Sequence, residues 1–289
     1  MVDWDEALKR ALGFAARRVG VAGNALEQIM VPGKKVYDHT ATQGALDAFI
    51  QNFYTGEGLS NVQAEENLKN GLVEIVFRGA LLPEILGLPP LPGFHISNGL
   101  LITEDGYFIT AHHCLEGFEK YSLPHLGDMK IPISSGLMGV RDTSGRTYTI
   151  ERAWGFPDYD FILAKARIPR RPSKSIPYRF CDTRVEQLKR GISIGVWSRW
   201  NGRLKERYGF IDQPYVASIT TRDGVSYKDH FSMELVDIIP GDSGGIVKTA
   251  DHRVVGLIST GDDQLNGSAV RLTKALEFIQ KCRQEYFCV

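Results

Sequence analysis

The spacing of the apolar residues changes at Gly71, and that change limits the folds open to the chain. Before it the spacing is helical. Trp4, Leu8, Leu12, Ala15 and Val19 recur every three or four residues, as do Leu46, Phe49, Ile50 and Phe53. Pro32-Gly33 separates the two stretches. Ser60-Asn61-Val62-Gln63 has the form of a capping box, in which serine and glutamine side chains satisfy amides that a helix start leaves orphaned. It predicts a short helix that stops at Asn70-Gly71. After Gly71 the pattern becomes short strands, at residues 72–78, 95–103, 107–111, 146–152, 161–166 and 192–197. Turn sequences such as Glu104-Asp105-Gly106 and Thr143-Ser144-Gly145 separate many of them. Short strands so punctuated predict a mainly β fold, a sandwich or barrel. A last helix is expected at about 273–286, with Leu276, Phe278 and Ile279 on its buried side. The reading gives a helical extension at 1–71 and a β domain at 72–289.

Composition narrows the function classes. A chain of 289 residues can bury a proper core as one large or two modest domains. Its 34 basic and 34 acidic side chains cancel, so charge makes no case for nucleic acid or an anionic membrane as partner. No apolar run approaches the roughly 20 residues of a spanning helix. The start, Met1-Val2-Asp3-Trp4-Asp5, is acidic, and no signal peptide is expected. Cys282 and Cys288 could pair, but thiols suit a chain without an export signal, and a cytoplasmic location is expected. No Cys-x-x-Cys or His-x-x-x-His spacing supports a metal, so no cofactor is expected. Residues 81–92, LLPEILGLPPLP, read as a surface loop packed by its own leucines, with a docking or lid element as the alternative.

Against this background Pro240-Gly241-Asp242-Ser243-Gly244-Gly245 stands out. A serine hydroxyl attacks a carbonyl only when a base takes its proton and fixed N–H donors receive the oxyanion. Glycines let the backbone bend so that the N–H groups of Gly241 and Ser243 converge, and they leave room for a substrate carbonyl. Upstream, Gly106-Tyr107-Phe108-Ile109-Thr110-Ala111-His112-His113-Cys114 runs a β-prone segment into a histidine. Between the two, Asp158-Tyr159-Asp160-Phe161-Ile162-Leu163 brings an acid to the start of a buried strand. If the first segment stays extended, His112 and His113 point to opposite faces and only one can meet Ser243.

The order His, Asp, Ser in these contexts resembles the chymotrypsin/trypsin family, most of all its disulfide-poor HtrA-type bacterial and viral members. The resemblance covers roughly residues 72–280. It selects His113 over His112 through Thr-Ala-x-His-Cys, Asp160 over Asp158, and Ser243 within Gly-Asp-Ser-Gly-Gly. It implies two six-stranded antiparallel barrels with a Ser-His-Asp triad across their cleft. His113 is then the general base, Asp160 holds its tautomer, and Gly241 and Ser243 N–H groups form the oxyanion hole. The rival reading of Gly-x-Ser-x-Gly as an α/β-hydrolase elbow fails on chain order. There the acid and the histidine follow the serine. Only 46 residues remain after Ser243, with His252 their sole histidine.

The same resemblance places Asp237, six residues before Ser243, at the base of the primary specificity pocket. A carboxylate there favours Lys or Arg on the acyl side of the scissile bond. Arg271, in the strand expected to form the pocket wall, could neutralise it, which leaves a small or apolar preference as the alternative. Ser259-Thr260-Gly261 resembles the edge that pairs with substrate backbone. One departure concerns activation. No Ile-Val-Gly-Gly start near residue 72 can be cleaved free to pair with Asp242, so a basic side chain, backbone donors or solvent must satisfy that carboxylate. Two functions follow: a serine endopeptidase acting on protein or peptide, or a catalytically silent protease fold that binds peptides or a partner. The helices of 1–71 are the candidate control element, by covering the cleft, recruiting a regulatory partner or mediating assembly; plain packing on the back of a barrel is the alternative.

Overall fold

The computed structural model of the chain describes residues 46–51, 58–77, 94–116, 121–123, 127–129, 138–169, 176–180, 188–221, 224–262 and 264–286. The helical stretch from Trp4 to Val19, Phe53, the run at 81–92, Cys181 and Cys288 lie outside these residues. Residues 46–51 are helical. The capping box forms: the Gln63 N–H donates to Ser60 Oγ at 3.3 Å and the Ser60 N–H donates to Gln63 Oε1 at 3.0 Å. Helix α1, Asn61–Gly71, ends where a β-carbon at Gly71 would overlap the buried Tyr178 hydroxyl.

Strand β1 (Leu72–Phe77) follows without a loop. It joins β2 (Phe94–Leu101), β3 (Tyr107–Thr110), β6 (Met138–Arg141), β7 (Thr147–Phe156) and β8 (Phe161–Ala166) in a closed antiparallel barrel of order β1-β2-β3-β8-β7-β6. Two short strands, β4 (Tyr121–Leu123) and β5 (Gly127–Met129), pair apart from it. β8 explains the apolar run from Phe161 to Ala164. Ile162, Ala164 and Ala166 fill the barrel interior, while Phe161 and Leu163 belong to a second core cluster. A strand buried on both faces loses the polar alternation.

The second sheet contains β9 (Arg179–Phe180), β10 (Ser193–Trp200), β11 (Arg203–Thr220), β12 (Ser226–Glu234), β13 (Ile246–Thr249), β14 (Arg253–Gly261) and β15 (Asn266–Arg271). Its order is β13-β10-β11-β12-β15-β14, and the β13–β14 pairing closes the ring; β9 adds in parallel outside β14. Val196, Ile211, Phe231, Val247 and Ala269 fill its interior.

The cluster that holds Phe161 and Leu163 joins the two barrels to the helices. Trp197, Leu100, Leu257, Leu68, Leu46 and Phe49 meet there, all essentially inaccessible. Each such side chain contributes about 1.5–3 kcal/mol by leaving water. The final helix spans Leu272–Tyr286 and buries Leu276, Phe278 and Ile279 as expected. No helix among the described residues is long and apolar enough to cross a membrane.

Candidate active site

The first barrel supplies the imidazole and the acid. β3 stops at Thr110, and the chain turns into the one-turn helix α2 (His113–Glu116) through Cys114 N–H to Ala111 O at 3.2 Å and Leu115 N–H to His112 O at 3.0 Å. This corrects the expectation that strand alternation separates the two histidines, because the strand has already ended. His112 packs instead against Gly155 of β7, where a β-carbon would meet its ring Nε2 at 2.9 Å.

Asp160 closes a 3-10 turn, Pro157–Tyr159, in the left-handed conformation at φ 53°, which aspartate tolerates better than most residues. Its carboxylate is fully buried. Oδ1 accepts the His113 backbone N–H at 2.9 Å, and both oxygens lie 2.9 Å from His113 Nδ1. Oδ2 also accepts the Ser259 hydroxyl. A proton on Nδ1 given to a carboxylate leaves the lone pair on Nε2. Burial opposes ionisation of Asp160, yet the hydrogen bonds from His113 and Ser259 outweigh it and lower its pKa. For His113, burial opposes the imidazolium, but the adjacent Cys114 sulfur and Asp160 favour it, and the balance lies well above the ordinary histidine value. Cys114 is a buried thiol with Sγ 4.0 Å from His113 Nε2. Asp158, the competing acid, is exposed and paired with Lys228 at 2.8 Å.

The second barrel supplies the serine, on the turn between β12 and β13. Gly241 and Gly244 adopt φ of 95° and 74°, a region nearly closed to side chains. A β-carbon at Gly244 would overlap Asn98 O and Thr110 Oγ1, and one at Gly245 would lie 2.6 Å from Trp197 O. The two following glycines therefore let the turn press against β2 and β10. Ser243 Oγ donates to Ser259 O at 3.1 Å. Among the described residues no hydrogen bond joins it to His113, and the Ser243 N–H has no acceptor. Ser259 is thus the common partner: its hydroxyl holds Asp160 and its carbonyl holds Ser243.

Asp242 is inaccessible, and three donors satisfy it: Ser198 Oγ at 2.6 Å, Arg207 Nη1 at 2.8 Å and the Ile239 N–H at 2.9 Å. From the first barrel, Asn98 donates its Nδ2 to Gly241 O at 2.7 Å and its N–H to Ser243 O at 2.8 Å. Sequence reasoning missed Asn98 and Arg207, and it gave Ser259 only a substrate-edge role. Nothing local marks these residues, because each partner lies far away in the chain.

The expected pocket differs. Asp237 is exposed and has no ion pair among the described residues. Ile238 takes the inner position: its side chain occupies the space that β-carbons at Gly261 and Gly267 would claim. Arg271 reaches the other way, to Asp229 Oδ1 at 2.7 Å, with its guanidinium over the Tyr215 ring. Thr260 shares a hydrogen bond with Ser268 at 2.8 Å. The Tyr227 ring stacks near His113, with centroids 6.5 Å apart.

No curated protein matches the chain. A family model does, that of the trypsin-like peptidase domain, over residues 97–257. This span is more than half of the chain and includes His113, Asp160 and Ser243. With two closed antiparallel barrels meeting at these residues, the chain belongs to the trypsin-like peptidase family.

Proposed function

We propose that the chain is a serine endopeptidase that works through His113, Asp160 and Ser243. The observation that carries this reading is the buried Asp160 carboxylate paired with His113 and tied through Ser259 to the Ser243 hydroxyl. In this reading the Ser243 side chain turns from the Ser259 carbonyl so that Oγ meets His113 Nε2. The hydrogen bond given up is worth about 0.5–1.5 kcal/mol net. Nε2 takes the proton as Oγ bonds to the scissile carbonyl carbon, and the oxyanion meets the N–H groups of Gly241 and Ser243. The imidazolium, stabilised by Asp160, then protonates the leaving amine. The C–N bond breaks and an acyl-enzyme remains, which water releases by the same steps in reverse order of roles.

The acyl-side residue is small or apolar in this reading, because Ile238 fills the inner space and Asp237 faces solvent. Incubation with casein tests the proposal. The wild-type chain should release new peptides, and Ser243→Ala should lower the rate at least about 10³-fold, the scale of a lost triad member. Equal cleavage by Ser243→Ala would reject it, and none by the folded wild type would reject it in favour of a peptide-binding role.

A further inference from the structure

We propose that Arg207 is a positioning residue that holds the Gly241–Ser243 turn in its formed state, so that the uncut chain is competent. The inference rests on the endopeptidase reading. Asp242 sits between the two proposed oxyanion donors, and its carboxylate is inaccessible. Ser198 and the Ile239 N–H are neutral donors; among the described residues Arg207 is its sole cation. A buried carboxylate stripped of its counter-charge must find water, and opening the turn brings it there. Two backbone bonds would open with it, Asp242 N–H to Ile239 O at 3.0 Å and Gly245 N–H to Asp242 O at 2.9 Å.

Arg207 is fixed by its own sheet. It lies on β11 in register with Val196 of β10, two residues from Ser198, so one hairpin presents both donors to Asp242. The Arg207 side chain is mostly buried, with 17% exposed. No free amino terminus is required at Asp242, since one cation and two neutral donors already serve its carboxylate. Arg207 touches no reacting atom. It acts through the backbone of Gly241 and Ser243.

The test compares full-length wild type, Arg207→Met and Arg207→Lys. Intact mass confirms that each chain is uncut, peptide hydrolysis separates kcat from KM, and hydrogen exchange follows residues 238–245 against 107–110 and 161–166. Uncut wild type should turn over. Arg207→Met should lower kcat about 100-fold, on the order of one lost oxyanion donor, with KM within about threefold. Exchange should rise at 238–245 and not in the barrel strands, and Arg207→Lys should recover at least about 10-fold of the lost kcat. Unchanged exchange at 238–245 in Arg207→Met overturns the inference, as do exchange that rises equally everywhere and turnover that appears only after amino-terminal cleavage. If wild type never turns over, cut or uncut, while exchange rises at 238–245 alone, the catalytic reading fails and the Arg207 clamp stands.

Discussion

At His113 burial and polar contacts pull in opposite directions. Removal from water disfavours the imidazolium, whereas the Cys114 sulfur and Asp160 favour it, and the net effect raises the pKa well above its usual value. In the proposed mechanism His113 must be neutral to act as general base, so activity should be lost as pH falls through this raised value. The acid limb of kcat/KM, which reports the free enzyme, should therefore lie above the roughly 6.5 of an ordinary histidine. Cys114→Ala removes one of the influences that favour protonation and should move the limb to lower pH. A wild-type limb at or below that ordinary value, or one unmoved by Cys114→Ala, would show that these neighbours do not set the titration. His113, Asp160 and Ser243 could be singled out in the sequence because each stands in a short local pattern. The role of Ser259 could not, since its hydroxyl meets an acid 99 positions earlier in the chain.

Among the elements, the turn carrying Ser243 is the most constrained. Gly244 has φ 74° and no room for a β-carbon, whereas Gly145 has φ 80° and open space around it. The pair separates backbone conformation from collision. Gly145→Ala should cost about 1–2 kcal/mol, the left-handed penalty alone. Gly244→Ala adds overlap with the Asn98 carbonyl and should cost at least about 2 kcal/mol more. Urea unfolding measures both, and equal losses would mean that the turn can withdraw from β2 freely. Strands were readable where burial or turns left a pattern: residues 161–166 match β8, and Ser60 starts α1. The 18-residue β11 was overlooked, although Asn201-Gly202 before it, with φ of 50° and 79°, is a hairpin signal. Its mixed polar composition hides a strand that is largely solvent-facing. Asp237 faces solvent while Ile238 packs inward, and sequence offset alone does not say which of two adjacent residues turns inward.

Across the whole molecule, the site exists only where the barrels meet. The first contributes His113, Asp160 and Asn98; the second contributes Ser243, Ser259 and the Asp242–Arg207 pair. Buried polar ties lock this junction. Glu74 of β1 accepts from Arg141 at 2.8 Å and from the Gly202 N–H at 3.0 Å. Arg199 of β10 donates to Leu72 O at 2.8 Å and Lys69 O at 2.6 Å, while its own N–H donates to Asn98 Oδ1 at 2.6 Å. The end of α1 is thereby connected to the residue that holds Gly241, and α1 shares its core with both barrels. None of this long-range bonding is visible in a linear pattern. The most direct measurement is covalent labelling of the folded chain by a fluorophosphonate probe, with the modified residue located by peptide mass. The account predicts one adduct, on Ser243, abolished by Ser243→Ala and His113→Ala and largely kept by His112→Ala. No adduct on folded wild type, an adduct that persists in Ser243→Ala, or dependence on His112 in place of His113 would contradict it.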